Sequence, residues 1–373
     1  MADTPAIGLP AALLPSDGRF GSGPSKVRTE ALDALGATGA TYLGTSHRQE
    51  RVRAVVRRVR EGLVALYGLP DGYEVLLGNG GATTFWDAIA YGLIEHRSAH
   101  AVFGEFSSKF AEAASAPHLG APVVVESAPG THPLLDAQPD VDVYALTHNE
   151  TSTGVCMPVR RPADEGLVVV DGTSAAGGLR VDTAEYDVYF FSPQKCFASD
   201  GGLWLAFFAP AAVERLERVT ASGRWVPPSL SLRLALDNSR LDQTYNTPPL
   251  ASLFLMAEQI DWMLSHGDLD WCAGRCDTSA ATVYGWAEAH EHATPFVTDP
   301  DMRSHVTATV DFDDSVDAAT VARVLRANGI VDVEPYRKLG RNQLRIALFP
   351  AIEPEDVTVL TQAIDYVIAA LAS

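Results

Sequence analysis

The chain has 373 residues, of which 47% are hydrophobic and 20% charged, the composition of a globular protein with core enough for two or three domains at about 150 residues each. Asp and Glu number 47 against 28 Lys and Arg, a formal net charge of −19; this argues against a surface that grips nucleic acid or anionic lipid, though a local basic pocket for a small anion remains open. Four cysteines, Cys156, Cys196, Cys272 and Cys276, do not make a disulfide framework and suit reducing, cytoplasmic conditions.

Met1 to Pro15 lacks a basic start and a sustained apolar run, so no secretory signal is expected. The longest apolar run, around Pro248 to Ala257, is well short of the roughly 20 residues that span a bilayer, and no membrane segment is expected. Glu50 to Tyr67 reads as a helix with Val52, Val55, Val56, Val59, Leu63 and Leu66 on one face and Arg51, Arg53, Arg57, Arg58 and Arg60 around it. That arginine cluster is either an anion site or a solvated face paired with the acidic remainder.

From about residue 50 to 210, helical patterns alternate with short apolar strands, which predicts an α/β layer with a mostly parallel sheet. The expected strands are Glu74 to Leu77, Ala101 to Phe103, Pro122 to Val125, Val143 to Thr147, Leu167 to Val170, Val188 to Phe191 and Leu203 to Phe207. A helical run from Pro249 to Leu264 follows, then strand His305 to Asp311, helix Asp317 to Asn328, strand Gln343 to Ala347 and helix Glu353 to Leu371. This predicts a large domain over 16–264 and a smaller α+β domain over 265–373, divided near Ser265 to Asp268, with 1–15 a separate segment packing on the small domain. Cys272 and Cys276 sit four apart on a helix face with no further ligands nearby, so a structural role and no metal are expected.

The strand Leu167 to Val170 ends in Asp171, and the strand Val188 to Phe191 runs into Ser192-Pro193-Gln194-Lys195. In an open α/β sheet the residues just past the strand carboxyl ends line the ligand crevice, which puts a carboxylate and an amine in one site. Gly78-Asn79-Gly80-Gly81-Ala82-Thr83-Thr84 lies between a strand and an amphipathic helix; small residues there admit close backbone approach, and free N–H groups at a helix start suit a phosphate. The run lacks the Gly-Lys-Ser/Thr ending of a nucleotide P-loop, so a plain strand-to-helix turn is the alternative. A phosphate cradle, a carboxylate and a lysine are what pyridoxal 5′-phosphate demands: the carboxylate keeps the pyridine nitrogen protonated and the lysine forms the Schiff base.

Seven segments carry a family resemblance: Phe20-Gly21-Ser22-Gly23-Pro24, Ser46-His47-Arg48, Gly80-Gly81-Ala82-Thr83, His148-Asn149-Glu150-Thr151-Ser152-Thr153-Gly154, Val170-Asp171-Gly172-Thr173-Ser174, Gln194-Lys195 and Tyr245-Asn246-Thr247-Pro248-Pro249. In these the sequence resembles the class V, fold type I aminotransferases, and within them the phosphoserine aminotransferases of the actinobacterial branch. The resemblance implies a seven-stranded, mostly parallel sheet domain with a smaller C-terminal α+β domain. It also implies pyridoxal 5′-phosphate as cofactor, and transamination between O-phospho-L-serine and 2-oxoglutarate to give 3-phosphooxypyruvate and L-glutamate in serine supply. A part in vitamin B6 synthesis is a further expectation. The neighbouring alternative is a class V alanine/serine–glyoxylate transaminase, whose branch the segment His148 to Gly154 also fits.

Carried over position by position, the resemblance makes Lys195 the Schiff-base lysine and Asp171 the pyridinium partner. Gly81, Ala82 and Thr83 become the phosphate turn, with Gln194 also near the phosphate. Thr151 matches the contact to the ring hydroxyl. Phe106 stands where the family stacks an aromatic, often Trp. Asn246 and Thr247 imply a homodimer, reaching the cofactor phosphate of the neighbouring subunit. Arg345 matches the clamp on the α-carboxylate, and His47 and Arg48 the pair that binds the distal phosphate or carboxylate across the interface. The family's second His-Arg pair is replaced by Tyr336-Arg337-Lys338-Leu339-Gly340-Arg341, leaving open which of Arg337, Lys338 and Arg341 substitutes.

Overall fold

The computed structural model describes residues 5–372. In chain order, α1 (Thr29–Ala37) and α2 (Glu50–Tyr67) precede β1 (Glu74–Asn79), α3 (Gly81–Gly92), β2 (Ser98–Val102), α4 (Glu105–Ala113), β3 (Val123–Glu126) and β4 (Val143–Thr147). The short pair β5 (Asn149–Glu150) and β6 (Val155–Cys156) follows, then β7 (Leu167–Asp171), β8 (Val188–Phe191), β9 (Leu203–Phe208), α5 (Pro210–Ala221), α6 (Leu232–Ser239) and α7 (Leu250–His266). The remainder is α8 (Leu269–Ala289), β10 (Ala293–Pro295), β11 (Thr307–Phe312), α9 (Ala318–Ala327), β12 (Gln343–Ala347) and α10 (Pro354–Ala372).

Seven strands form one sheet in the order β1-β9-β8-β7-β4-β2-β3, with β9 antiparallel to both neighbours and the remaining pairings parallel. β4, β7, β8 and β9 are buried along their whole length, as strands covered on both faces must be. Successive side chains point to opposite layers. Val168, Val170, Tyr189 and Phe191 pack with α2 and α7, while Val169, Val188 and Phe190 pack with α3, α5 and α6.

The valine and leucine face of α2 is buried, as its periodicity predicts. Its arginines are spoken for. Arg57 and Arg60 reach Asp242, Arg58 reaches Glu258 and Asp261, and Arg53 pairs with Glu50, while Arg51 donates to the Thr41 carbonyl. The cluster is therefore an ion-paired face. β1 runs on to Asn79, two residues beyond the expected end, because Gly78 lies opposite Trp204 in the ladder. The missing side chain makes room for the indole, which a Cβ would overlap.

A second, three-stranded antiparallel sheet, β10-β11-β12, packs against α8, α9 and α10. β11 starts at Thr307, not at the expected His305, whose ring is turned aside to Asp277 at 2.7 Å. Between α7 and α8, Gly267 leaves the helical region and the Asp268 carboxylate accepts Asp270 N–H at 2.8 Å, an N-cap that starts a new helix direction. Asn328 at the end of α9 holds the N-terminal segment, bonding Leu9 N–H and the Ile7 carbonyl at 2.9 Å each. Among the described residues no helix is long and apolar enough to cross a membrane.

Candidate active site

β1, β7 and β8 point the same way, so Asn79, Asp171 and Phe191 end at one edge of the sheet. The chain leaving each strand there encloses a cavity of about 380 Å³. It brings together Gly81, Ala82, Thr83, Phe106, Thr151, Asp171, Gln194 and Lys195, eight of the residues expected from sequence.

Lys195 is buried, and its Nζ donates to the Ser22 carbonyl. Gly23 lies directly against it: a Cβ at that position would overlap Nζ and sit 2.6 Å from Cε. Burial, reinforced by the positive charge of Arg345, lowers the amine to about 8, which leaves a usable neutral fraction near neutrality.

Asp171, also buried, receives one N–H on each oxygen. Thr173 N–H reaches Oδ1 at 2.8 Å and Trp86 Nε1–H reaches Oδ2 at 2.9 Å. Burial pushes the carboxyl above its ordinary range, and Thr173, through its side chain and its N–H, opposes the shift together with Trp86. At the other end, Gly80 and Gly81 have φ of 111° and 78°, a left-handed backbone that glycine adopts without strain. They turn the chain into α3, whose first N–H groups have no intrahelical acceptors. Ala82 N–H is taken by Ser192 Oγ at 2.7 Å.

Phe106, half-buried at the start of α4, places its ring centroid 5.9 Å from Lys195 Nζ. It is fixed by Glu150, a fully buried carboxylate. Glu150 accepts N–H from Phe106 at 3.1 Å and Ser107 at 2.9 Å, and hydroxyls from Ser107 at 2.9 Å and Ser152 at 2.7 Å. Set at a helix N-terminus, its charge is opposed by the helix dipole. Thr151 Oγ1 donates to Ser174 Oγ at 2.8 Å, and Asn149 Nδ2 donates to the same oxygen at 2.8 Å.

Arg345, on β12, is not among the lining residues but stands beside them, its Nη1 3.3 Å from the carbonyl of the lining residue Thr151 and its guanidinium 5.4 Å from the Tyr336 ring centroid. Its Nε is buried without a partner. Tyr336 in turn meets Phe106 edge-on at 6.0 Å. Of the three basic residues beyond Tyr336, Lys338 pairs with Glu105, and Arg341 grips Asp311 while lying 4.6 Å over Phe296. Arg337 is exposed, and among the described residues it has neither a hydrogen bond nor an ion pair.

His47, Arg48, Asn246 and Thr247 do not line this cavity. They form an outlying patch beside it: His47 Nδ1 lies 3.2 Å from Thr247 Oγ1, Arg48 donates to Gln243 at 2.8 Å, and the Thr247 carbonyl accepts Asn79 Nδ2 at 3.0 Å. Asn246, next in line, accepts the Thr244 hydroxyl on its carbonyl. Burial and the adjacent Arg48 hold the His47 imidazole below its usual value.

Sequence reasoning passed over Trp86, Glu150 and Ser174. A tryptophan in the first turn after a glycine-rich run, and a glutamate inside an otherwise uncharged polar segment, were the available signals.

The family model for aminotransferase class-V matches residues 20–333. A putative phosphoserine aminotransferase of Mycobacterium leprae is 59% identical over 376 residues, spanning 100% of both chains. A phosphoserine aminotransferase of a Nocardioides species is 61% identical over 370 residues, 98% of this chain and 99% of the relative. Among solved structures, a phosphoserine aminotransferase from Cytophaga hutchinsonii superposes with a TM-score of 0.86 at 27% identity, covering 94% of this chain and 99% of that one.

Proposed function

The chain belongs to the class-V aminotransferases, and from that premise we propose that it is a phosphoserine transaminase dependent on pyridoxal 5′-phosphate. It moves the amino group of O-phospho-L-serine to 2-oxoglutarate, giving 3-phosphooxypyruvate and L-glutamate for serine synthesis. The observation that carries this is one cavity holding Lys195, Asp171 and the glycine turn in a chain 59% to 61% identical, end to end, to relatives of that name. Those relatives disfavour the alanine/serine–glyoxylate alternative.

The residues fit the cofactor. The cavity is of a size for a small molecule, Gly23 leaves Lys195 room at its tip, and Gln194 Oε1 is buried without a partner beside it. Lys195 would hold the group covalently, Asp171 its ring nitrogen, Phe106 its face and Thr151 its hydroxyl. The turn Gly81-Ala82-Thr83, through the N–H groups of Gly81 and Thr83 and with the Ala82 N–H shared with Ser192 Oγ, would hold its phosphate together with Gln194. When bound, the cofactor supplies an aldehyde that captures amines and a protonated ring that draws electrons.

The chain's own groups then divide the work. Lys195 Nζ, poised near pH 8, takes the substrate α-proton and returns it. Asp171 keeps the ring nitrogen protonated. Arg345 clamps the α-carboxylate with its planar fork, a role that its buried, partnerless Nε supports. Arg337, the basic residue of its loop without a hydrogen bond or ion pair among the described residues, faces the substrate's distal phosphate together with a second copy's His47 and Arg48, because about two negative charges need offsetting.

His47, Arg48, Asn246 and Thr247 serve the site of a second copy, which makes the working unit a homodimer. The enzyme acts in the cytoplasm. The deciding experiment compares phosphoserine, serine and alanine as amino donors to the cofactor-loaded enzyme. A clear preference for phosphoserine is expected, and faster turnover of serine or alanine with glyoxylate would overturn the reading.

A further inference from the structure

The two donors on Asp171 differ in kind. Thr173 N–H belongs to the main chain two residues on, where any residue but proline would supply it, and the Thr173 side chain favours the anion from the same short turn. Trp86 Nε1–H comes from α3, 85 positions away in sequence, and only a side chain with a donor at that reach can make the bond. The indole is 4% exposed and stacks on Phe110 at 6.1 Å and 17°, so its orientation is set by packing and not by Asp171. Indole N–H is a donor only, and a donor of fixed direction in a buried site favours the anion of its acceptor.

Trp86 also lies one helical turn beyond Thr83, on the helix whose first residues line the anion end of the cavity. A single rigid element therefore carries both the glycine turn and the donor to Asp171. Around the carboxylate stand Lys195, whose charge favours the anion, and Glu150, whose charge opposes it. The His148 ring is turned away, with Nδ1 3.0 Å from the Tyr189 hydroxyl, and burial lowers it to about 4, leaving it neutral.

We propose that Trp86 is a positioning residue for Asp171: its indole N–H fixes the carboxylate rotamer and holds it as the anion before the cofactor's ring nitrogen arrives. The proposal rests on the assignment of Asp171 to that nitrogen. Without the N–H, burial goes less opposed and the Asp171 pKa rises. The anion is then lost at a higher pH on acidification, and affinity for the cofactor falls with it.

The test measures the dissociation constant of pyridoxal 5′-phosphate across pH for the wild type, Trp86→Phe, Asp171→Asn and a protein with benzothienylalanine at position 86. That last residue keeps the indole shape and lacks the N–H, so it decides the matter if Trp86→Phe fails to fold. In both position-86 proteins the acid midpoint of the affinity curve should move up by about half to one pH unit, with affinity at pH 6 down by about threefold to tenfold. A purely structural indole would lower the melting temperature and leave the midpoint where it was. If the midpoint stays put in the benzothienylalanine protein while Asp171→Asn abolishes the pH dependence, the role of Trp86 is overturned and that of Asp171 stands. If Asp171→Asn also changes nothing, the assignment of Asp171 falls first.

Discussion

Arg345 Nη1 donates to the Thr151 carbonyl at 3.3 Å, so a guanidinium from the three-stranded sheet is fixed to the loop that follows β5. Arg345→Lys and Arg345→Ala are expected to raise KM for phosphoserine and glutamate alike, by roughly a hundredfold for the alanine, because both substrates carry the same α-carboxylate. The preference for phosphoserine over serine should not change. A KM rise for one substrate alone in steady-state kinetics would assign Arg345 to the distal group.

Lys195 gives a pH dependence with a definite sign. Its folded-state value of about 8 lies below the 10.5 of a free lysine. Between the two the unfolded chain binds the extra proton, so the stability of the cofactor-free protein rises with pH from about 8 to 10.5. Below that window both states are protonated and the cost of burying the charge is constant. Lys195→Met should therefore stabilise the cofactor-free protein at pH 7, by at most on the order of 3 kcal/mol, and the advantage should shrink as pH climbs. Denaturant titrations giving a pH-independent difference would contradict this.

Glu150→Gln exchanges a carboxylate that accepts from three N–H groups and two hydroxyls for an amide that must turn a donor toward donors. A loss of about 2–4 kcal/mol is expected in urea denaturation, with weaker cofactor binding as Phe106 loses its anchor. A change below about 0.5 kcal/mol would mean that the start of α4 does not depend on this charge.

Arg337→Ala should raise KM for phosphoserine about tenfold or more and leave thermal stability unaltered, since among the described residues the side chain makes no hydrogen bond or ion pair. Arg341→Ala, which breaks the pairing with Asp311, should do the reverse. If both variants keep the wild-type ratio of phosphoserine to serine turnover, distal recognition lies elsewhere.

Subunit mixing tests the outlying patch. Lys195→Ala lacks the amine, while the double variant His47→Ala/Arg48→Ala lacks the distal cations. Refolded together, they should recover activity that neither has alone, because one site in each hybrid dimer is whole. No recovery, with dimers confirmed by sedimentation, would place His47 and Arg48 at the site of their own chain.

The large sheet was legible because its strands are unbroken apolar runs; Leu167–Asp171 and Val188–Phe191 announce themselves and carry their functional residues at their ends. β10 was not legible, being three residues with a proline and no period to read. Of the eight cavity residues, Asp171, Lys195 and the turn Gly81-Ala82-Thr83 came through local sequence patterns, and Phe106, Thr151 and Gln194 through the family resemblance. Trp86 and Glu150 did not, because their meaning lies in partners 85 and 44 positions away, and no window on the sequence spans such a bond. The fate of the α2 arginines was undecidable for the same reason: Asp242, Glu258 and Asp261, which neutralise them, arrive from later helices and loops.

Gly23 sets a boundary on how this chain can drift. The ground beside it is occupied by the tip of Lys195, so even one methyl group there would act as an inhibitor that the enzyme carries on its own backbone. Tied to the same chain, it would compete for the amine at a high effective concentration, and the φ of 136° at this position would strain it as well.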